Sequence, residues 1–206
     1  MTTTPAEDRF DLSTPRGRAM AYADYLWNDH AYLRLGFSNA HWISEELVRA
    51  NQPWPHQIAA WKARGIRTIV NLRGGFDASF HALEKDACER LGLNLVDFTI
   101  TSREVPSRER VLGAKRLFET LEYPALMHCK SGADRAGIMS VLYMHFRKGK
   151  TILNLRGVSD TGYYLLEKEA CAANGVALVD ARMHSREPPS VARDTCARSA
   201  RSGRGR

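Results

Sequence analysis

Short apolar runs and amphipathic stretches take turns along this chain. The runs "IRTIVNL" (66–72) and "PALMH" (124–128) are rich in β-branched or apolar residues and predict buried strands, and "LNLVDF" (93–98) predicts another strand. Between and after them the apolar positions fall at helical spacing. "SFHALEKDACERLG" stops at Gly92, a C-cap residue, and "SRERVLGAKRLFETLE" opens on Ser107, an N-cap residue. "RAGIMSVLYMHFRKG" is an apolar helix ending at Gly149. Upstream, "ANQPWPHQIAAWKARG" reads as a Pro-punctuated turn followed by a short helix ending at Gly65. Residues 1–25 read as loosely ordered, with short extended candidates after them at Leu33–Phe37 and His41–Leu47. Strands alternating with helices predict an α/β fold, a central and largely parallel sheet flanked by helices.

The pattern then repeats. Thr68–Ser107 and Thr151–Ser190 align without gaps at 21 identical positions of 40. Chance would give about two or three, so the segments are homologous. The copy stops before a second helix and a second cysteine motif. The chain therefore divides into an N-terminal extension (1–29), a principal domain (30–149), a partial repeat of residues 67–107 (150–190) and a basic, disordered tail (191–206). The duplicated strand–helix–strand must bury its apolar residues, Ile152, Leu153, Leu155, Leu178 and Val179 among them, on the first unit or on another chain.

Charge narrows the function classes. The net charge of +7 is concentrated in the tail, whose five Arg and one Asp leave residues 1–190 at +3. That is too little for a fold devoted to nucleic acid. No apolar run reaches the ~18 residues of a membrane span, and the polar N-terminus lacks a signal-peptide core, so a cytoplasmic location is expected. Cys88, Cys129, Cys171 and Cys196 have no metal-ligand spacing, which argues against zinc, and no disulfide framework is expected.

Cys129 is the residue with chemistry around it. In "HCKSGADRAG" it follows an apolar strand and precedes a glycine, an arginine and a helix. A tight loop there would turn successive backbone N–H groups inward as an anion nest, and the helix N-terminus would add positive potential. Gly132 allows the sharp turn. The same field favours thiolate at Cys129, and Arg135 can present a planar fork to two phosphate oxygens. These parts suit in-line attack of sulfur on a phosphate monoester.

"HCKSGADRAG" resembles the signature loop of the cysteine-dependent phosphatases of the protein-tyrosine-phosphatase superfamily. "VRANQPWPHQ" and "GIRTIVNLRG" are similar to the opening of the small atypical dual-specificity phosphatases of bacteria, fungi and plants, so the resemblance covers roughly residues 30–149. It implies a phosphatase acting through a phosphocysteine intermediate on phosphotyrosine or mixed phosphoproteins, with no cofactor and no metal. Cys129 would be the nucleophile and Arg135 the phosphate clamp. Lys130, Ser131, Gly132, Ala133 and Asp134 would bind the substrate phosphate, and His128 would set the cysteine's surroundings by hydrogen bonding. Asp97, 32 residues before the cysteine, is the first candidate for the general acid. Asp134, placed like the loop aspartate of myotubularin-like lipid phosphatases, is the second, and Glu104 the third.

Two departures from the family stand out. Ala136 occupies the position where a Ser or Thr hydroxyl assists departure of the thiolate. The chain also runs from "HFRKGK" directly into the copied segment, where covering helices are expected. Lys130 and Asp134 leave open a phosphatase of inositol phosphates or phosphoinositides. The truncated frame leaves open an inactive phosphate-binding protein. For Arg73 the expected role is tying loop backbone together, and Trp42, Trp54 and Trp61 are expected to pack in the core or at its edge.

Overall fold

The apolar runs pair side by side. The computed structural model of the chain describes residues 10–101, 106–150, 152–154, 172 and 178–180. Strands β1 (His41–Trp42), β2 (Leu47–Asn51), β3 (Thr68–Asn71), β4 (Asn94–Asp97) and β5 (Ala125–Cys129) form one sheet in the order β1-β2-β5-β3-β4. Only β1 runs antiparallel, as a short edge on β2. β5 lies between β2 and β3, with Asn51 opposite Cys129 and Asn71 opposite His128.

The three inner strands are buried on both sides because helices cover both faces. On one face Leu47, Val70, Met127 and Cys129 pack against α4 (Arg108–Thr120) and α5 (Asp134–Phe146) through Ala114, Phe118, Met139 and Tyr143. On the other, Val48, Ile69 and Leu126 meet α2 (Pro55–Ala63) and α3 (Ser79–Leu91) through Ile58, Trp61 and Ala87. Each buried Val, Leu, Ile, Met or Phe among them contributes about 1.5–3 kcal/mol. Within the first unit, residues 1–147, described helices thus lie on both faces of the sheet.

The helix ends follow the expected chemistry. Gly92 closes α3 at φ 61°, and the Ser107 hydroxyl accepts from the Arg110 N–H to start α4. Trp54 and Trp61 are buried as expected, while Trp42 is half exposed and meets Trp61 edge-on.

The N-terminal region departs from the sequence reading. Pro15–Trp27 is a helix, α1, rather than loose chain, with Thr14 as N-cap and Pro15 in its first turn. Ala21 and Tyr25 of α1 pack with Trp54 and with Leu83 of α3. Ala31–Arg34 is a 3-10 turn, so the extended candidate at Leu33–Phe37 does not form a strand. The reason is local, since the chain enters that turn through His30 in the left-handed region and Asp29 holds Arg34.

In the second unit, β6 (Ile152–Asn154) and β7 (Leu178–Asp180) form a two-stranded parallel ladder. Ile152 pairs with Leu178 and Asn154 with Asp180, matching the Ile69–Leu95 and Asn71–Asp97 pairs of β3 and β4. The rest of the copied segment, its burial and the basic tail lie outside the described residues.

Candidate active site

β5 ends at Cys129, and four residues of loop lead to Asp134, the first residue of α5. The carbonyls of this loop are held from outside. Lys130 O accepts from Gln52 N (3.4 Å), Ser131 O from Asn39 Nδ2 (2.8 Å) and Gly132 O from Arg49 Nη1 (3.4 Å). In a trans peptide the N–H opposes the preceding carbonyl. The N–H groups of Ser131, Gly132 and Ala133 are therefore turned away from those outer partners, and Ala133 N donates to Ser131 Oγ at 3.4 Å. Gly132 N donates to Cys129 Sγ at 3.2 Å, so backbone donors gather where negative charge on sulfur and on a bound anion would be stabilised.

Gly132 sits at φ 74°, and a Cβ there would lie 2.7 Å from backbone atoms of Ala50 and Asn51. The loop rests against β2 with no room for a side chain. α5 starts at the loop's end, adding the partial positive charge of a helix N-terminus. Arg135 is the second residue of that helix and half-buried, while Asp134 is exposed. Ala136 is fully buried in the core under the loop.

The residues from Cys129 to Arg135 are thus contiguous, but Asp97 stands apart. β3 separates its strand from β5, and its side chain turns toward α3, where Asn71 Nδ2 donates to Oδ1 (2.8 Å) and His81 Nε2 lies 3.0 Å from Oδ2. Burial opposes ionisation of Asp97, but the hydrogen bonds from His81 and Asn71 outweigh it and hold the carboxyl below its ordinary range. Glu104 lies outside the described residues.

The pleat separates His128 from its neighbour. Cys129 packs on the α4–α5 face, whereas His128 points to α3, its Nε2 2.7 Å from Glu84 Oε1 with both side chains buried. Gln52 Nε2 donates to the same oxygen at 3.2 Å. Among the described residues His128 makes no hydrogen bond to the cysteine through its ring.

Arg73 does not tie backbone. It donates to both Asp29 oxygens and to Gln52 Oε1, with its guanidinium 3.6 Å over the Phe80 ring. Lys130 Nζ lies 3.3 Å from the same Asp29. The sequence reading missed Asp29, Asn39 and Gln52 as supports of the loop. Gln52 was in view in "ANQP", but nothing in the sequence joins it to residue 130.

Cys88 is the other described cysteine. Burial, with Glu84 nearby, pushes its thiol up to about 12 and leaves it inert. Among the described residues no group of three or more His, Cys, Asp and Glu side chains is arranged to hold a metal, and no helix is long and apolar enough to cross a membrane.

The profile of a family described as "PTP-NADK: DSP-PTPase phosphatase fused to NAD+ Kinase" matches residues 43–149, just over half of the chain. A search of curated proteins finds no match. Among solved structures, a DUF442 protein from Shewanella putrefaciens CN-32 is 18% identical with a TM-score of 0.52, the match covering 69% of this chain and 97% of that one. Tk-PTP in its active form is 22% identical (TM-score 0.47, covering 55% and 76%). TpbA of P. aeruginosa is also 22% identical (TM-score 0.46, covering 55% and 66%). At these identities the likeness is one of fold.

Proposed function

Since the chain belongs to the DSP-PTPase family whose profile it matches, dual-specificity-like phosphatases of the protein-tyrosine-phosphatase superfamily, we propose that it hydrolyses phosphate monoesters on proteins through a phosphocysteine intermediate at Cys129. The observation that carries this reading is the loop itself. Three carbonyls of the loop are held by partners outside it, and the Gly132 amide donates to the sulfur.

In the first step Cys129 Sγ attacks phosphorus. The S–P bond forms as the bond to the leaving oxygen breaks, and that oxygen takes a proton from an acid. The amides of residues 131–133 and the fork of Arg135 bind the phosphoryl oxygens as charge builds on them. Water then attacks phosphorus, the S–P bond breaks, and inorganic phosphate leaves with the thiolate restored. Turnover of an aryl phosphate and a phosphotyrosyl peptide, inhibited by vanadate, is the expected result. Phosphate binding without turnover of either would make the chain a phosphate-binding protein instead.

For the acid, two observations weigh toward Asp134 over Asp97. Asp97 is turned to the α3 side by His81 and Asn71, whereas Asp134 follows the loop directly, exposed at the start of α5. Asp134→Asn is expected to slow alkyl and tyrosyl phosphates by about 10²-fold or more and to spare substrates whose leaving groups need no proton. Asp97→Asn should lack that dependence, and if it alone shows it, the roles reverse. A second measurement follows from linkage. A depressed carboxyl contributes stability above its unfolded pKa of about 3.9 that is lost as pH falls through the folded value. Asp97→Asn should therefore lower stability at neutral pH and flatten the acid limb of a denaturation profile. An unchanged acid limb would count against the His81–Asp97 pairing.

A further inference from the structure

Beside the signature loop, three cations meet one carboxylate. Arg73 reaches both oxygens of Asp29 at 3.1 and 2.6 Å, Arg34 donates to Oδ2 and to the Asp29 carbonyl, and Lys130 Nζ lies 3.3 Å from Oδ1. Arg34 and Arg73 are buried, with their terminal nitrogens spent on these partners and on Gln52. Lys130 differs. Its side chain is 45% exposed, it sits on a flexible stem, and it follows the nucleophile directly. One phosphate in the loop has the backbone amides and Arg135. A second phosphate on the same molecule would need Lys130.

Resting on the phosphatase reading above, we propose that Asp29 is a specificity-determining residue: it holds Lys130 aside and reserves the site for substrates carrying a single phosphate over polyphosphorylated ones. A polyphosphorylated substrate must pull Lys130 from Asp29 and approach a carboxylate that stays in place, fixed by two buried arginines. Asp29 precedes the segment matched by the family profile, which begins at residue 43, so this contact comes from the chain's own N-terminal region. It weighs against the inositol-phosphate alternative, which Lys130 had favoured in the sequence.

The test compares kcat/KM for phenyl phosphate and inositol hexakisphosphate in the full chain. The parent should prefer phenyl phosphate. Asp29→Asn should shift the ratio toward the hexakisphosphate by about five-fold, the scale of a half-exposed ion pair, and adding Lys130→Met should cancel the shift. Lys130→Met in the parent should leave the ratio unchanged, which decides the matter if Asp29→Asn fails to fold. An unmoved ratio in Asp29→Asn, or a parent preference for the hexakisphosphate that Lys130→Met removes, would overturn the proposal. No turnover of phenyl phosphate by the parent would overturn the phosphatase reading instead. The proposal is then decided by equilibrium binding of inositol hexakisphosphate against inorganic phosphate in the same variants, where an unmoved ratio again overturns it.

Discussion

Replacing Cys129 with serine is expected to lower turnover by about 10⁴-fold or more, the scale seen when a covalent nucleophile is removed, while inorganic phosphate still binds. The separation follows from how the loop is built. Its shape is set by Gln52, Asn39 and Arg49 holding three carbonyls and by Gly132 resting on β2. None of these contacts uses the sulfur. A serine hydroxyl fits the same space and accepts the Gly132 N–H, but it keeps its proton where a thiol can give it up. Phosphate release and calorimetric phosphate binding read the two halves of this expectation. Turnover in the variant equal to that of the parent would end the phosphocysteine mechanism.

Gly132→Ala has the second largest expected effect. The added methyl would stand 2.7 Å from Ala50 C and Asn51 N and 2.8 Å from Ala50 O, at a backbone φ of 74°. Those are backbone atoms of an inner strand, paired along its length with β5, and they cannot give way as a flexible side chain would. The loop must lift instead, and its backbone amides lift with it. A displacement on the order of 1 Å at reacting groups costs about 10²-fold, so activity should fall at least that far, with weaker phosphate binding. Gly92→Ala is the control. Its φ is 61° and nothing lies within 4 Å of the new methyl, so about 1 kcal/mol of backbone strain is expected with activity retained. Equal losses of activity in the two variants would show that general destabilisation, not the shape of the loop, is being read.

The sequence made some parts of this structure plain and hid others. β3, β5 and the helices from α3 to α5 were legible because β-branched runs and helical spacing report burial directly, and β4, a half-exposed edge strand, was legible from its apolar Leu95 and Val96. β2 was harder. Its residues Leu47–Asn51 include Arg49 and Asn51, polar groups that reach the loop and the carbonyl of Phe37, and they break the apolar run that marks an inner strand. α1 was missed because its apolar residues cover only a narrow contact with α3, although Thr14 and Pro15 spell a helix start. The cysteine loop was legible because all its parts are neighbours in the chain. The orientation of Asp97 was not, because a count of residues between an acid and a nucleophile does not say which face of a sheet each occupies. The pleat decides that, and it sends Asp97, like His128, toward α3.

The strand order has a consequence for how the protein is made. The middle strand of the sheet, β5, is the last of the five to leave the ribosome, and β2 and β3 flank it without touching each other. Until residue 129 emerges, both present open edges, the surfaces that invite pairing with other chains. Closing the gap inserts the same strand whose final residue is the cysteine. Closure of the sheet and arrival of Cys129 are therefore coupled.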